Sequence, residues 1–206
     1  MKEKIIKKID YFNIEGTPGG NQEWFSDFWM HLGGCGALAA CDLCICLALN
    51  HGMTSCLPFP SGDLSRKNYE VFGMIMEPYI KPRMGGVTEL SFFTEGCGAY
   101  LERHGFDVTF STISGEEDYD KAVSFVKDHM ENNLPIAYLN LSHKDKEFKD
   151  LWWHWFSVTG YRETKEGMKL IFHTYGEENE VDFRRLWNTE MTPKGGMVAV
   201  SEIRRI

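Results

Sequence analysis

Apolar positions divide this chain into two regimes. In the first, they recur at helical spacing. From Ala37 to Leu49 the only charge is Asp42; Ala and Leu favour helix, and Asn50 with Gly52 supplies a stop. A helix apolar nearly all round is buried, and thirteen residues are too few to cross a bilayer, so the run predicts a central core helix. Further helices are expected over 65–79, ended by Pro78 or Pro82, over 89–104, with Leu90, Phe93, Cys97 and Leu101 on one face, and over 118–130, with Ala122, Phe125 and Val126 inward. The segment 106–110 alternates like a strand. In the second regime the apolar residues form short runs: strands are expected at 134–141, 152–161, 168–175 and 197–203, with one helical turn at 183–187. Helices first and strands afterwards predict an α+β domain spanning 1–206, with a helical lobe over about 20–131 and an antiparallel sheet lobe over about 132–206.

Upstream of the central helix, residues 15–22 are turn formers. Trp24, Phe25, Phe28, Trp29 and Met30 follow, an aromatic cluster expected to pack beside that helix, and Gly33-Gly34 bends the chain into it.

Composition narrows the function classes. Of 206 residues, 43% are hydrophobic and 25% charged, ordinary for a globular domain. The net charge of −8 and the lack of clustered Lys and Arg argue against a nucleic-acid surface. The basic start leads into Asp10 and Tyr11 without an apolar h-region, so no signal peptide is expected, and no segment reaches membrane-spanning length. The six cysteines are too few for a disulfide scaffold, and the default compartment is the reducing cytoplasm. Cys41, Cys44 and Cys46 lack the second ligand pair that a zinc site needs, so no metal and no cofactor is expected.

Cys35 is the first candidate for chemistry. It falls at the first turn of the central helix, where unpaired N–H groups and the helix dipole favour negative charge. A thiol so placed is expected to have a lowered pKa and raised nucleophilicity; a small buried residue is the other use of cysteine there. His154 is the second, in the most apolar strand of the chain, between tryptophans; taken alone, such a histidine reads as a core residue with a satisfied ring nitrogen. A cysteine at a helix start and a histidine about 120 residues later form the layout of a Cys–His nucleophilic pair.

These two stretches carry a resemblance. Gly33-Gly-Cys-Gly-Ala-Leu-Ala-Ala40 resembles the nucleophile helix of papain-like cysteine peptidases, especially the bacterial branch related to the C39 bacteriocin-processing peptidases. His154-Trp-Phe-Ser-Val-Thr-Gly-Tyr161 resembles that branch's histidine strand, and His173-Thr-Tyr-Gly176 resembles the segment that supplies its third catalytic residue. The resemblance implies a papain-like fold and an acyl-thioester mechanism on a peptide or small amide substrate. Cys35 would be the nucleophile, His154 the proton carrier and His173 the orienting residue in place of Asn or Asp. The oxyanion glutamine common in that family is absent near Cys35; Trp29 stands there. Gln22, thirteen residues upstream, is expected to be a loop residue facing solvent, although the Gly19-Gly20 loop could fold it back to serve; His31 is nearer, to serve instead or simply to be exposed.

If Tyr161 faces Met168 in a hairpin, His154 and His173 become diagonal neighbours on one face. A one-residue slip in register sends His173 to the other face. Asp42, two turns below Cys35, is expected to be buried and paired rather than to touch the thiol. The acidic run Glu177, Glu178, Glu180 reads as a solvated turn, or as a wall favouring cationic substrates. The competing reading is an inactive papain-like module that binds a peptide or ligand.

Overall fold

The structure, a computed structural model, describes residues 4–206. It is an α+β fold built around one seven-stranded antiparallel sheet. The chain opens with strand β1 (Lys4–Lys8), a small hairpin of β2 (Asn13–Ile14) and β3 (Thr17–Pro18), and the short helix α1 (Phe28–Gly33). The central helix α2 (Cys35–His51) follows, then α3 (Arg66–Met76), α4 (Leu90–Arg103), β4 (Phe106–Ser114) and α5 (Tyr119–Met130). The remainder is β5 (Ile136–Asn140), β6 (His154–Thr164), β7 (Gly167–Thr174), β8 (Glu177–Asp182), the short helix α6 (Phe183–Trp187) and β9 (Gly195–Arg205). The sheet runs β4-β9-β5-β6-β7-β8, and β1 pairs with the second half of β6.

Helix α2 is the helix predicted from the apolar run. Every residue from Cys35 to Ala48 is buried. Gly34 separates α1 from α2, and a Cβ there would stand 2.5 Å from the carbonyl oxygen of Met30. Backbone cannot yield as a side-chain tip can, so Gly34→Ala should displace Cys35, lowering both melting temperature and Cys35 alkylation rate. Unchanged values for both would show that the bend tolerates a side chain.

Three expectations need correction. The sheet is not confined to the second half, because β1 and β4 join it from the first. The acidic run is not a turn but edge strand β8, whose carboxylates pair with neighbours: Glu178 with Lys8, and Glu180 with Arg162 (2.9 Å) and Lys169 (3.4 Å). The aromatic cluster before α2 splits: Phe25 and Met30 are buried, whereas Phe28 and Trp29 lie on the solvent side of α1.

Strand β6 is buried continuously from His154 to Tyr161 because helices and strands cover it on both faces. Trp155 stacks on Phe93 of α4 at 4.9 Å and donates Nε1–H to the Val87 carbonyl at 2.7 Å. Phe156 packs between Tyr138 (4.8 Å) and Phe172 (4.7 Å). Asp42 is buried and paired, as expected. Its carboxylate accepts from the hydroxyls of Tyr11 (2.6 Å), Tyr69 (2.8 Å) and Ser157 (3.3 Å), linking α2 to the N-terminal segment, α3 and β6.

Among the described residues, no helix is long and apolar enough to cross a membrane.

Candidate functional site

Cys35 is the first residue of α2. No side chain caps that helix, so its first-turn N–H groups remain open. The backbone N–H groups of Cys35, Gly36 and Trp155 favour negative charge on the sulfur. Burial opposes them and prevails: the thiol is pushed above its ordinary value, not below it as the helix-start argument predicts. Helix-terminus stabilisation is worth about 0.3–2 kcal/mol, whereas burying an unpaired charge can shift a pKa by several units.

His154 opens β6 and is 5% exposed. Its Nε2 is 2.6 Å from the Thr174 hydroxyl. The Tyr175 ring lies flat on the imidazole, 4.7 Å between centroids and 6° between planes, with its hydroxyl 3.4 Å from Nδ1. Burial lowers the histidine to about 4. Thiol and imidazole therefore both rest in their neutral forms at pH 7, rather than as a preformed thiolate–imidazolium pair.

The fold brings Cys35, His154, Gln22 and His173 to one cavity of about 30 Å³, with Thr174, Tyr175 and the buried Asp42 also on its wall. That is room for one or two waters. A bulky side chain does not fit inside it.

Gln22 is buried on this wall rather than facing solvent as a loop residue, because the loop folds back. Its amide Nε2 donates to the His31 carbonyl at 2.6 Å, and its buried Oε1 has no hydrogen-bond partner among the described residues. The His31 side chain is exposed.

His173 departs from expectation. In the hairpin Tyr161 faces Leu170, not Met168, and a bulge between Val158 and Gly160 shifts the register again, leaving His173 opposite Ser157. Its Nδ1 meets the Thr159 hydroxyl at 2.9 Å, its Nε2 the Glu178 carboxylate at 3.3 Å, and its ring stacks on Tyr11 at 4.3 Å. The contact with His154 expected of His173 is made by Thr174. Sequence reasoning missed Thr174 because only the correct register distinguishes it from its neighbours. Thr174→Val keeps the shape and removes the hydroxyl, so it should slow alkylation of Cys35 by about tenfold, the scale of one lost orienting hydrogen bond, with Thr174→Ser close to wild type. Equal rates for Val and Thr would show that the contact orients nothing.

The other five cysteines are free and buried, each completely shielded, whereas Cys35 retains 6% exposure. Brief iodoacetamide treatment should therefore modify Cys35 first, read by peptide mass mapping; Cys35 last would contradict the geometry. Among the described residues, no three or more His, Cys, Asp or Glu side chains are grouped to hold a metal ion.

No family model and no curated protein matches this sequence.

Proposed function

We propose that the chain is a papain-like, C39-related cysteine hydrolase that cleaves an amide or peptide bond through an acyl-thioester. The observation that carries this reading is the shared cavity. A cysteine at a helix N-terminus and a histidine at a strand start, 119 positions apart, line the same small opening, and a hydroxyl from the adjacent strand holds the far nitrogen of the imidazole. The resemblance of residues 33–40 and 154–161 to that family's motifs supports the same reading.

In this mechanism Nε2 of His154 is held by Thr174, and Nδ1 is the basic nitrogen. As the Cys35 sulfur attacks the substrate carbonyl, its proton passes to Nδ1 and the carbonyl π electrons move onto oxygen. The backbone N–H groups of Cys35, Gly36 and Trp155 bear on the sulfur, and in this reading that of Cys35 donates to the developing oxyanion. The oxyanion then collapses, the C–N bond breaks and the imidazolium protonates the departing amine. Water, deprotonated by the same histidine, releases the acid from the thioester. Gln22 does not need to supply the oxyanion donor.

One observation favours the second reading, an inactive binding module: both groups rest neutral in a narrow cavity. Incubation with p-nitrophenyl acetate decides between the two. A burst of nitrophenolate, an acetylated Cys35 peptide and loss of both in Cys35→Ala would support the enzyme; an unmodified wild-type Cys35 would support the binding module.

A further inference from the structure

We propose that the site is selective for a short aminoacyl substrate: a primary ammonium close to the scissile carbonyl, received by Gln22 Oε1 in the cavity and attracted by the carboxylates of Glu23 and Asp150 beside it. The inference rests on the reading of Cys35 as the acylated nucleophile and adds the chemistry of the acyl group.

Gln22 is the first sign. It is 9% exposed and shares the cavity wall with Cys35. Its Oε1 is a buried acceptor to which nothing donates among the described residues, and a buried polar atom in that state is costly until it finds a partner. Turning the amide over does not relieve it. Nε2 is held on the His31 carbonyl at 2.6 Å, and the flip would set oxygen against oxygen. The missing partner is therefore a donor that enters the cavity. About 30 Å³ admits a group the size of a water molecule. A primary ammonium has that size and carries three donors and no acceptor. A guanidinium or a quaternary ammonium is too large. So small a space also keeps the charge within a few bonds of the carbonyl that Cys35 attacks.

The charges beside the cavity are the second sign. Segment 20–23 is tied to the turn between β7 and β8: Asn21 Nδ2 donates to the Tyr175 carbonyl at 2.9 Å, and the Gly176 N–H donates to the Gly20 carbonyl at 3.1 Å. Glu23 is thereby carried to the neighbourhood of Tyr175, a wall residue that is 37% exposed. On the other side, the short helical segment Lys146–Leu151 places Asp150 four positions before His154, whose ring stacks on Tyr175. Burial and then Cys35, Glu23 and Asp150 push the Tyr175 hydroxyl up to about 12, so both carboxylates are felt at the cavity wall. Both are exposed. Acids elsewhere on the surface are neutralised, as Glu178 is by Lys8, Glu180 by Arg162 and Asp145 by Arg185. Among the described residues, Glu23 and Asp150 are in no ion pair with a lysine or arginine, the adjacent Lys149 included. Their field is left to a cation from solution.

Three methanethiosulfonates test this on the protein as it stands. In each, the Cys35 sulfur forms a disulfide with the reagent's thioalkyl group and methanesulfinate leaves; the far end is a primary ammonium, a trimethylammonium or a sulfonate. Each rate is divided by the rate with free 2-mercaptoethanol. The aminoethyl reagent should outpace the sulfonatoethyl reagent about tenfold or more, and the trimethylammonioethyl reagent should fall between them. The net charge of −8 favours cations everywhere, so the variants decide. Glu23→Gln with Asp150→Asn should lower the aminoethyl-to-sulfonatoethyl ratio about fivefold or more, the scale of two charges within a Debye length. Gln22→Leu should lower the aminoethyl rate about tenfold, the scale of one hydrogen bond to a charged group, and the other two rates less. A disturbed fold moves all three rates together and leaves the ratios alone. Equal wild-type rates, or a ratio untouched by the exposed Glu23 and Asp150 substitutions, would overturn the inference. p-Nitrophenyl glycinate against p-nitrophenyl acetate, below the pKa of the glycinate amine and corrected for uncatalysed hydrolysis, then separates the inference from the reading beneath it. Faster acylation of Cys35 by the glycinate supports both. Acylation by acetate with no gain for glycinate leaves the hydrolase and removes the selectivity. Acylation by neither ester removes the hydrolase and the aminoacyl substrate together.

Discussion

His154→Ala should slow acylation of Cys35 by p-nitrophenyl acetate about 10²–10⁴-fold, the range in which a positioned general base contributes. The size of the effect follows from the resting state. Burial raises the Cys35 thiol and the backbone N–H groups around the sulfur do not reverse it, so little thiolate exists at pH 7 and attack requires a base at the moment of reaction. His154 is lowered to about 4 by burial, so its imidazole is neutral and able to accept a proton over the whole neutral range. The sign of the pH dependence is therefore fixed. Acylation should be lost as pH falls through about 4, where His154 becomes charged, with the base fully available from pH 5 to 8 and only the ionisation of Asp42 on the same wall, near 6, modulating the rate in that range. A preformed thiolate–imidazolium pair would instead decline above neutrality as the imidazolium deprotonates. A bell centred near pH 6 would sink the neutral-pair description, and an unchanged rate in His154→Ala would remove histidine from the mechanism.

The elements legible in the sequence are those whose burial is one-sided or complete. Helix α2 announces itself because every residue from Cys35 to Ala48 faces protein, and the resulting apolar run has no other reading at that length. Helix α5 is legible for the opposite reason: its buried Ala122, Val126 and Met130 alternate with solvated charges at helical period. Strand β8 was not, because an edge strand needs no apolar face. Glu177, Glu178 and Glu180 satisfy themselves with solvent, Lys8, Arg162 and Lys169, so their pairing leaves no hydrophobic trace. Strand β1 is rich in lysine and escaped for the same reason.

The site divides along the same line. Cys35 and His154 are each marked by local surroundings, a Gly-rich helix start and a tryptophan-rich strand. The third group depends on register, which a bulge in β6 alters without any glycine or proline signature beyond Gly160. One residue of slip exchanges His173 for Thr174 at the imidazole. His173, though on the same cavity wall, is thereby turned to polar contacts with Thr159 and Glu178, and the less conspicuous Thr174 hydroxyl meets the His154 imidazole.

Asp42→Asn should roughly double the steepness with which stability is lost in acid. Three buried groups titrate differently in the folded and unfolded chain. His154 and His173 fall from 6.5 to about 4 on folding, chiefly through burial, so between those values the unfolded chain binds two protons that the folded chain does not. Each costs stability as pH falls through that window. Asp42 runs the other way. Burial raises it from 3.8 to about 6 against the three hydroxyls that donate to it, so the folded chain binds a proton there that the unfolded chain does not, and stability is gained as pH falls from 6 towards 4. Near pH 5 the net difference is about one proton in favour of the unfolded state, a loss of about 1.4 kcal/mol per pH unit. Asparagine removes the opposing proton and leaves about two, or about 2.7 kcal/mol per pH unit. It keeps one oxygen, an acceptor for either Tyr69 or the Tyr11 and Ser157 pair, and turns an N–H₂ group toward the other side, so a neutral-pH cost of about 1–3 kcal/mol is expected. Asp42→Ala strands three buried hydroxyls and should cost about 3–5 kcal/mol at every pH. Urea unfolding of wild type and Asp42→Asn at pH 6.5, 5.5 and 4.5 reads the slopes directly. Parallel slopes would show that Asp42 is already ionised throughout that range in the folded protein, and a shallower slope in the variant would reverse the assigned direction of its shift.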